Sequence, residues 1–298
     1  MQDIDLPGRG QRPRLGIIDR TARLTHLVGG LRFAEGPAWH PVERHLTFSD
    51  IPSNRMMRLT EDGTCTVFAE PCNHANGNAY DPQGRLVTCE HATSRLVRRE
   101  ADGTATVLAS TWDGRELNSP NDVTVAPDGT IFFTDPPYGR MSRSFGGRRP
   151  IPQRVNGVYR IDHRGLALMA DDFEIPNGLC LTPAGDAILV ADTARRHIRH
   201  FAIASDGAWS GGEVLAEVPS DGMAAPDGLK CDSAGNVFCS GAGGIHVFGP
   251  DGYHLEAIEV PELVANFAHG AADMKTLFIA ASASIYRTRV TVPGLPVF

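Results

Sequence analysis

The chain has 298 residues, 42% hydrophobic and 21% charged, with a formal net charge of −7. That composition supports a sizeable buried core and excludes wholesale disorder. The acidic balance argues against nucleic acid or an anionic membrane as partner, because both need a basic footprint, and no stretch approaches the roughly 20 apolar residues of a membrane helix.

Residues 1–14 are polar, contain Pro and Gly, and lack the apolar run of a secretory signal. Residues 1–21 therefore read as an N-terminal extension and 22–298 as one domain. The six cysteines (Cys65, Cys72, Cys89, Cys180, Cys231, Cys239) include no C-x-x-C pair, so buried, reduced thiols are expected rather than thiolate zinc. Reduced cysteines and no signal suggest a cytoplasmic protein. Two arginine groups, Arg195, Arg196 and Arg199 in a strand and Arg140, Arg143, Arg148 and Arg149 in a loop, read as solvated faces.

After a lone strand-like segment at 22–28, a turn followed by a short β-prone run recurs six times. The runs lie at 45–50, 85–90, 130–135, 187–192, 236–240 and 276–280. With Leu46, Leu86, Ile131, Ile188, Val237 and Leu277 as markers, the spacings are 40, 45, 57, 49 and 40 residues. Between markers a second hairpin turns at Asp62-Gly63, Asp102-Gly103, Arg164-Gly165, Asp206-Gly207 and Asp251-Gly252; such dipeptides supply the positive φ of tight turns. Two hairpins per period make four antiparallel strands, the content of one propeller blade. The fold predicted is all-β, a six-bladed β-propeller; six unequal, turn-rich periods fit ring closure better than a solenoid. The sixth blade is one strand short. Residues 22–28 are predicted to complete it beside 284–292, so that the chain ends close the ring and no sheet edge stays open. The longest spacing carries an insertion, 136–156, rich in Gly and Arg, which reads as a lid or partner surface with Tyr138 as a substrate contact.

Ten or eleven residues before each marker, where an innermost strand begins, stand Glu35, Asn76, Asn121, Asn177 and Asp227. In the sixth repeat the offsets fall on Asn266 and Phe267. Rotation about the axis brings equivalent positions together, so carboxylates and carboxamides converge at one mouth. A flexible ring of hard oxygen donors suits calcium, with Zn2+, Mg2+ and Mn2+ also open, and a cation relieves the repulsion between neighbouring acids. Asn-Gly and Asp-Gly are also common turn dipeptides, but a turn code would repeat one residue type rather than mix Glu, Asn and Asp. A second repeated acid, at Asp50, Glu90, Asp135 and Asp192, recurs four residues after the marker in four periods and reads as a blade-stabilising acceptor.

The runs Phe33-Ala-Glu35-Gly-Pro-Ala-Trp39, Asn118-Ser-Pro-Asn121-Asp122, Phe133-Thr-Asp-Pro-Pro-Tyr138-Gly139, Pro176-Asn177-Gly178-Leu179 and Pro226-Asp227-Gly228-Leu229 resemble the gluconolactonase/regucalcin (senescence marker protein) family, closest to its bacterial gluconolactonases. The resemblance implies one catalytic divalent cation held by Glu35, Asn177 and Asp227, with Asn121 beside metal and substrate. Animal members carry Arg two residues before the Asn of Asn-Asp, where this chain has Ser119, so that sugar contact is not carried over.

The activity expected on that basis is metal-dependent hydrolysis of a sugar lactone, D-glucono-1,5-lactone first, by Lewis-acid-assisted acyl transfer to water. Asp227 serves as base and Asn121 as oxyanion donor, while Asn121, Asn76, Tyr138 and His91 contact substrate. His74, His91 and His269 are possible proton shuttles, with packed or hydrogen-bonded roles as the plainer reading. No Gly-x-Ser-x-Gly elbow is present, which disfavours a serine esterase. The rivals are a calcium-dependent phosphotriesterase-like hydrolase and a non-catalytic binding platform. A platform is expected to show aromatic or basic residues at the axis mouth and closed metal coordination.

Overall fold

The computed structural model describes residues 16–296. Six four-stranded antiparallel sheets form the blades of a propeller, and one two-stranded hairpin, Thr111–Trp112 with Arg115–Glu116, leads into the third blade. Blade 1 comprises Ala34–His40, His45–Asp50, Arg55–Thr60 and Cys65–Ala69 from the axis outward. Blade 6 comprises Val264–Gly270, Thr276–Ala281 and Ser284–Arg289, and its fourth strand is Thr25–Val28. Thr25 pairs with Arg287 and His26 with Tyr286, so the chain ends close the ring as the missing strand requires.

Residues 16–21, from the expected extension, run along the same blade. Ile17 is 2% exposed in the apolar core of blades 5 and 6, and Ile18 bridges Val290. Residues 1–15 of that extension lie outside the described residues.

The second strands of the blades, such as His45–Asp50, Ile131–Asp135 and Ala187–Asp192, are buried at every position. Both of their faces meet a neighbouring blade, which is why they read as continuous apolar runs rather than alternating ones. The core is accordingly divided into wedges. Val87 and Leu96 of blade 2 pack with Phe133 and Tyr159 of blade 3, and Phe238 of blade 5 packs with Phe267 and Leu277 of blade 6. Apolar side chains thus fill the space between blades, and the axis is left to polar ones.

The repeated acids act inside their own blades. Asp50 accepts the backbone N–H groups of Arg32 and Phe33 at 3.0 and 3.1 Å, and Asp192 those of Glu174 and Ile175 at 2.9 and 3.2 Å. Asp135 takes the N–H of Asn118 at 2.7 Å. Each acid ends a second strand and ties down the loop entering the innermost strand beside it.

The 136–156 insertion contains a short helix, Tyr138–Met141, and a 3-10 turn, Arg143–Phe145. Arg140, expected to be solvated, is 4% exposed and donates to the carbonyls of Leu117, Asn118 and Pro150 and to Ser94 and Glu116. A guanidinium with five donors can satisfy several carbonyls where a loop crosses the sheet ends, so it anchors the insertion. All six cysteines are free thiols, five of them buried. Among the described residues no helix is long and apolar enough to cross a membrane.

Candidate metal centre at one mouth of the axis

Four of the innermost strands are irregular at the axial residue. Pairing shifts register between Glu35 and Ala38, Ala75 and Asn78, Pro176 and Leu179, and Val264 and Asn266. A bulge of this kind bends the strand and re-aims a side chain, here toward the axis. The glycine after the axial residue has a different cause from a turn. The N–H of Gly178 donates to the Asp227 carbonyl at 2.9 Å, and a Cβ on Gly178 would lie 2.0 Å from that oxygen. Gly77 donates likewise to the Asn121 carbonyl at 2.8 Å. The axial backbones of neighbouring blades touch, and only glycine leaves room for the contact.

Glu35, Asn76, Asn121, Asn177, Asp227 and His91 all line one cavity of about 320 Å³, which Tyr138 and Thr193 also border. The structure therefore brings together every residue singled out for metal or substrate. Its polar floor is tightly ordered. Asn76 Nδ2 lies 3.0 Å from His91 Nε2, and His91 Nδ1 lies 3.0 Å from the Phe145 carbonyl. A carbonyl only accepts, so Nδ1 carries the proton and Nε2 accepts from Asn76. Burial pushes the His91 imidazole down to about 3, so it is neutral and holds the carboxamide oxygen of Asn76 toward the axis. Across the cavity Asn177 donates to Thr193 Oγ1 at 3.0 Å, and Thr193 donates to the Pro226 carbonyl at 2.6 Å. Asn177 also hydrogen-bonds Asp227.

Two buried oxygens on this floor, Glu35 Oε2 and Asn76 Oδ1, have no hydrogen-bond partner. Burial and the nearby Asp122 carboxylate push the Glu35 carboxyl up to about 7. Burial, then Glu35 and Asp122, push Asp227 well up. Unpaired buried oxygens and mutually repelling carboxylates are what a bound cation relieves. Among the described residues no three His, Cys, Asp or Glu side chains form a metal-binding group. The donors that fit a hard, oxygen-preferring cation are thus the Glu35 and Asp227 carboxylates supplemented by carboxamide oxygens.

Several contributors have no motif of their own. Asn266 donates to Glu35 Oε1 at 2.8 Å, and Lys230 Nζ lies 3.4 Å from Asn266 Oδ1 and 3.6 Å from Asp122 Oδ2. Asn266 was within reach of the repeat argument, which led to that position. Thr193 and Lys230 emerge only from contacts between blades, and Asp122, which stands in the Asn-Asp run, meets Lys230 through the same kind of contact. His74 is bonded to the Ile51 carbonyl at 2.8 Å. His269 lies toward the other end of its innermost strand, beside a second cavity of about 300 Å³ lined also by Trp39, Tyr80 and Lys230, and takes no part in this centre.

Fold and site define a six-bladed propeller with an oxygen-lined, open centre at one mouth of its axis. The chain belongs to the SMP-30/gluconolactonase/LRE-like family, whose model matches residues 33–283. It is 30% identical to a gluconolactonase of Zymomonas mobilis, over 95% of this chain and 85% of that one. A pentonolactonase of Haloferax volcanii is 28% identical, with 84% and 82% covered. Among solved structures, a gluconolactonase from Xanthomonas campestris superposes with a TM-score of 0.87 at 36% identity, covering 93% of this chain and 92% of its own. A regucalcin from Agrobacterium tumefaciens described as calcium-binding, 20% identical with a TM-score of 0.75 over 91% of this chain and 95% of its own, shares the fold.

Proposed function

We propose that the chain is a divalent-cation-dependent lactonase acting on a sugar lactone, with D-glucono-1,5-lactone the first substrate to assay and calcium the first metal. The observation that carries this reading is the convergence of Glu35 Oε2, Asn76 Oδ1 and the Asp227 carboxylate on one open cavity. Glu35, Asn177 and Asp227 would hold the cation, which supplies Lewis acidity toward the lactone carbonyl when bound. Thr193 fixes the Asn177 carboxamide and His91 fixes that of Asn76, so both donors are ordered before a ligand arrives. Asn121 donates an amide N–H to the carbonyl oxygen as negative charge gathers there. Asp227 accepts the proton of the attacking water, a C–O bond forms to the carbonyl carbon, the ring C–O bond breaks, and the proton passes to the departing alkoxide. Tyr138, beside Asp227 and Thr193, faces the same space.

Aromatic residues stand at the mouth, as expected of a binding platform, and they border a cavity that a small molecule can enter. A screen of aldonolactones and one phosphotriester, with and without chelator, tests the reading. Asp227→Ala is expected to lower lactone hydrolysis at least about a thousandfold, on the scale of a lost catalytic group, and to weaken calcium binding while the circular-dichroism spectrum stays β-like. Near-normal hydrolysis by that variant, or full activity in chelator, refutes it.

A further inference from the structure

The walls above the polar floor are apolar. Phe33, in the loop that enters blade 1, and Phe145 of the insertion meet edge to face at 5.4 Å between ring centroids, and with Met141, Met223 and Leu263 they border the cavity. Met141 is 55%, Met223 88% and Leu263 37% exposed, so three of the eight exposed large hydrophobic residues among the described residues gather at this one mouth. Exposed apolar groups concentrated beside a binding cavity mark a contact surface, and unbranched methionines adapt to apolar ligands of varied shape. None of the described residues lining the cavity is lysine or arginine. A phosphate or sulfonate held against these walls would lose water without gaining a counter-charge from them.

We infer that the preferred lactone carries an apolar, uncharged arm on the ring carbon away from the carbonyl, and that Met223, Leu263 and Met141 read this arm. The inference rests on the lactonase reading: the polar floor takes the ring and its carbonyl, and the rim takes the arm. A charged arm of the kind carried by the substrate named for a relative in Pseudomonas putida, a 6-deoxy-6-sulfogluconolactonase 27% identical over 87% of this chain, is disfavoured here.

The test compares three compounds that differ only in the arm: D-glucono-1,5-lactone, its 6-O-butyl ether and its 6-phosphate, each assayed by pH-stat with calcium. The butyl ether is expected to have the highest kcat/KM and the phosphate the lowest, with the order residing in KM. Met223→Ser should reduce the butyl-to-hydroxymethyl preference about tenfold, the scale of a lost hydrophobic pocket contact. Met223→Arg should raise kcat/KM for the phosphate, an effect that weakens with added salt. Best activity on the phosphate or on gluconolactone itself overturns the inference and leaves the lactonase reading standing. So does a Met223→Ser protein that keeps its preference but changes oligomeric state by light scattering, since the rim would then be a subunit contact. No hydrolysis of any of the three, with any divalent metal, overturns the lactonase reading and this inference together.

Discussion

Replacing Glu35 by glutamine isolates the electrostatic cost of the axial centre. In the cation-free fold Glu35 keeps its proton up to about 7, against an ordinary 4.5, because it is buried and faces Asp122. In the unfolded chain it releases the proton near its ordinary value. Between the two, the folded state binds more protons than the unfolded one, so this group's contribution to stability falls as pH rises. It is fully present below 4.5 and lost above about 7. The difference corresponds to about 3 kcal/mol. Glu35→Gln keeps the shape and the contact with Asn266 but has no charge to desolvate. In EDTA at pH 8 the variant should therefore be more stable than the parent by about 3 kcal/mol, and the two should converge toward pH 4.5. Calcium at pH 8 should raise the stability of the parent and leave the variant nearly unchanged, because binding only to the folded state stabilises it by mass action. Urea unfolding followed by tryptophan fluorescence, at pH 5 and pH 8 with and without calcium, reads all four conditions. A Glu35→Gln protein no more stable than the parent in EDTA at pH 8, or stabilised equally by calcium, refutes the argument that this carboxylate awaits a cation.

Asp50→Ala removes a fully buried carboxylate that accepts two backbone N–H groups of a partly exposed loop; denaturant unfolding should show a loss of about 1–3 kcal/mol, with kcat retained in the surviving folded protein. Thr193→Val frees the Asn177 carboxamide and is expected to weaken calcium binding about 10- to 100-fold by calorimetric titration. Thr193→Ser, which keeps the hydroxyl, should restore it, whereas equal loss in both variants would assign Thr193 to packing.

What the sequence determined by itself was everything written in local or periodic chemistry. Turn dipeptides and β-prone runs have fixed short-range conformational preferences, so their sixfold recurrence carried the blade count, the four strands per blade and the strand that closes the ring. The same periodicity located Glu35, Asn76, Asn121, Asn177, Asp227 and Asn266, since rotation about one axis superposes equivalent positions. The tertiary structure alone decided how those side chains are held. Asn266 reaches Glu35 across 231 residues of sequence, Lys230 sits 3.6 Å from Asp122, and Thr193 ties Asn177 to the next blade through the Pro226 carbonyl. Arg140 looked solvated because it stands in a loop rich in arginine, and only the folded path of that loop buries it against the carbonyls of residues 117, 118 and 150. The axial glycines stand in dipeptides that are also common in turns, and the folded ring supplies their actual requirement: Gly178 lies against the Asp227 carbonyl of the adjacent blade. Such contacts depend on distances between blades, which no spacing within a single repeat encodes, and they form only when the ring closes.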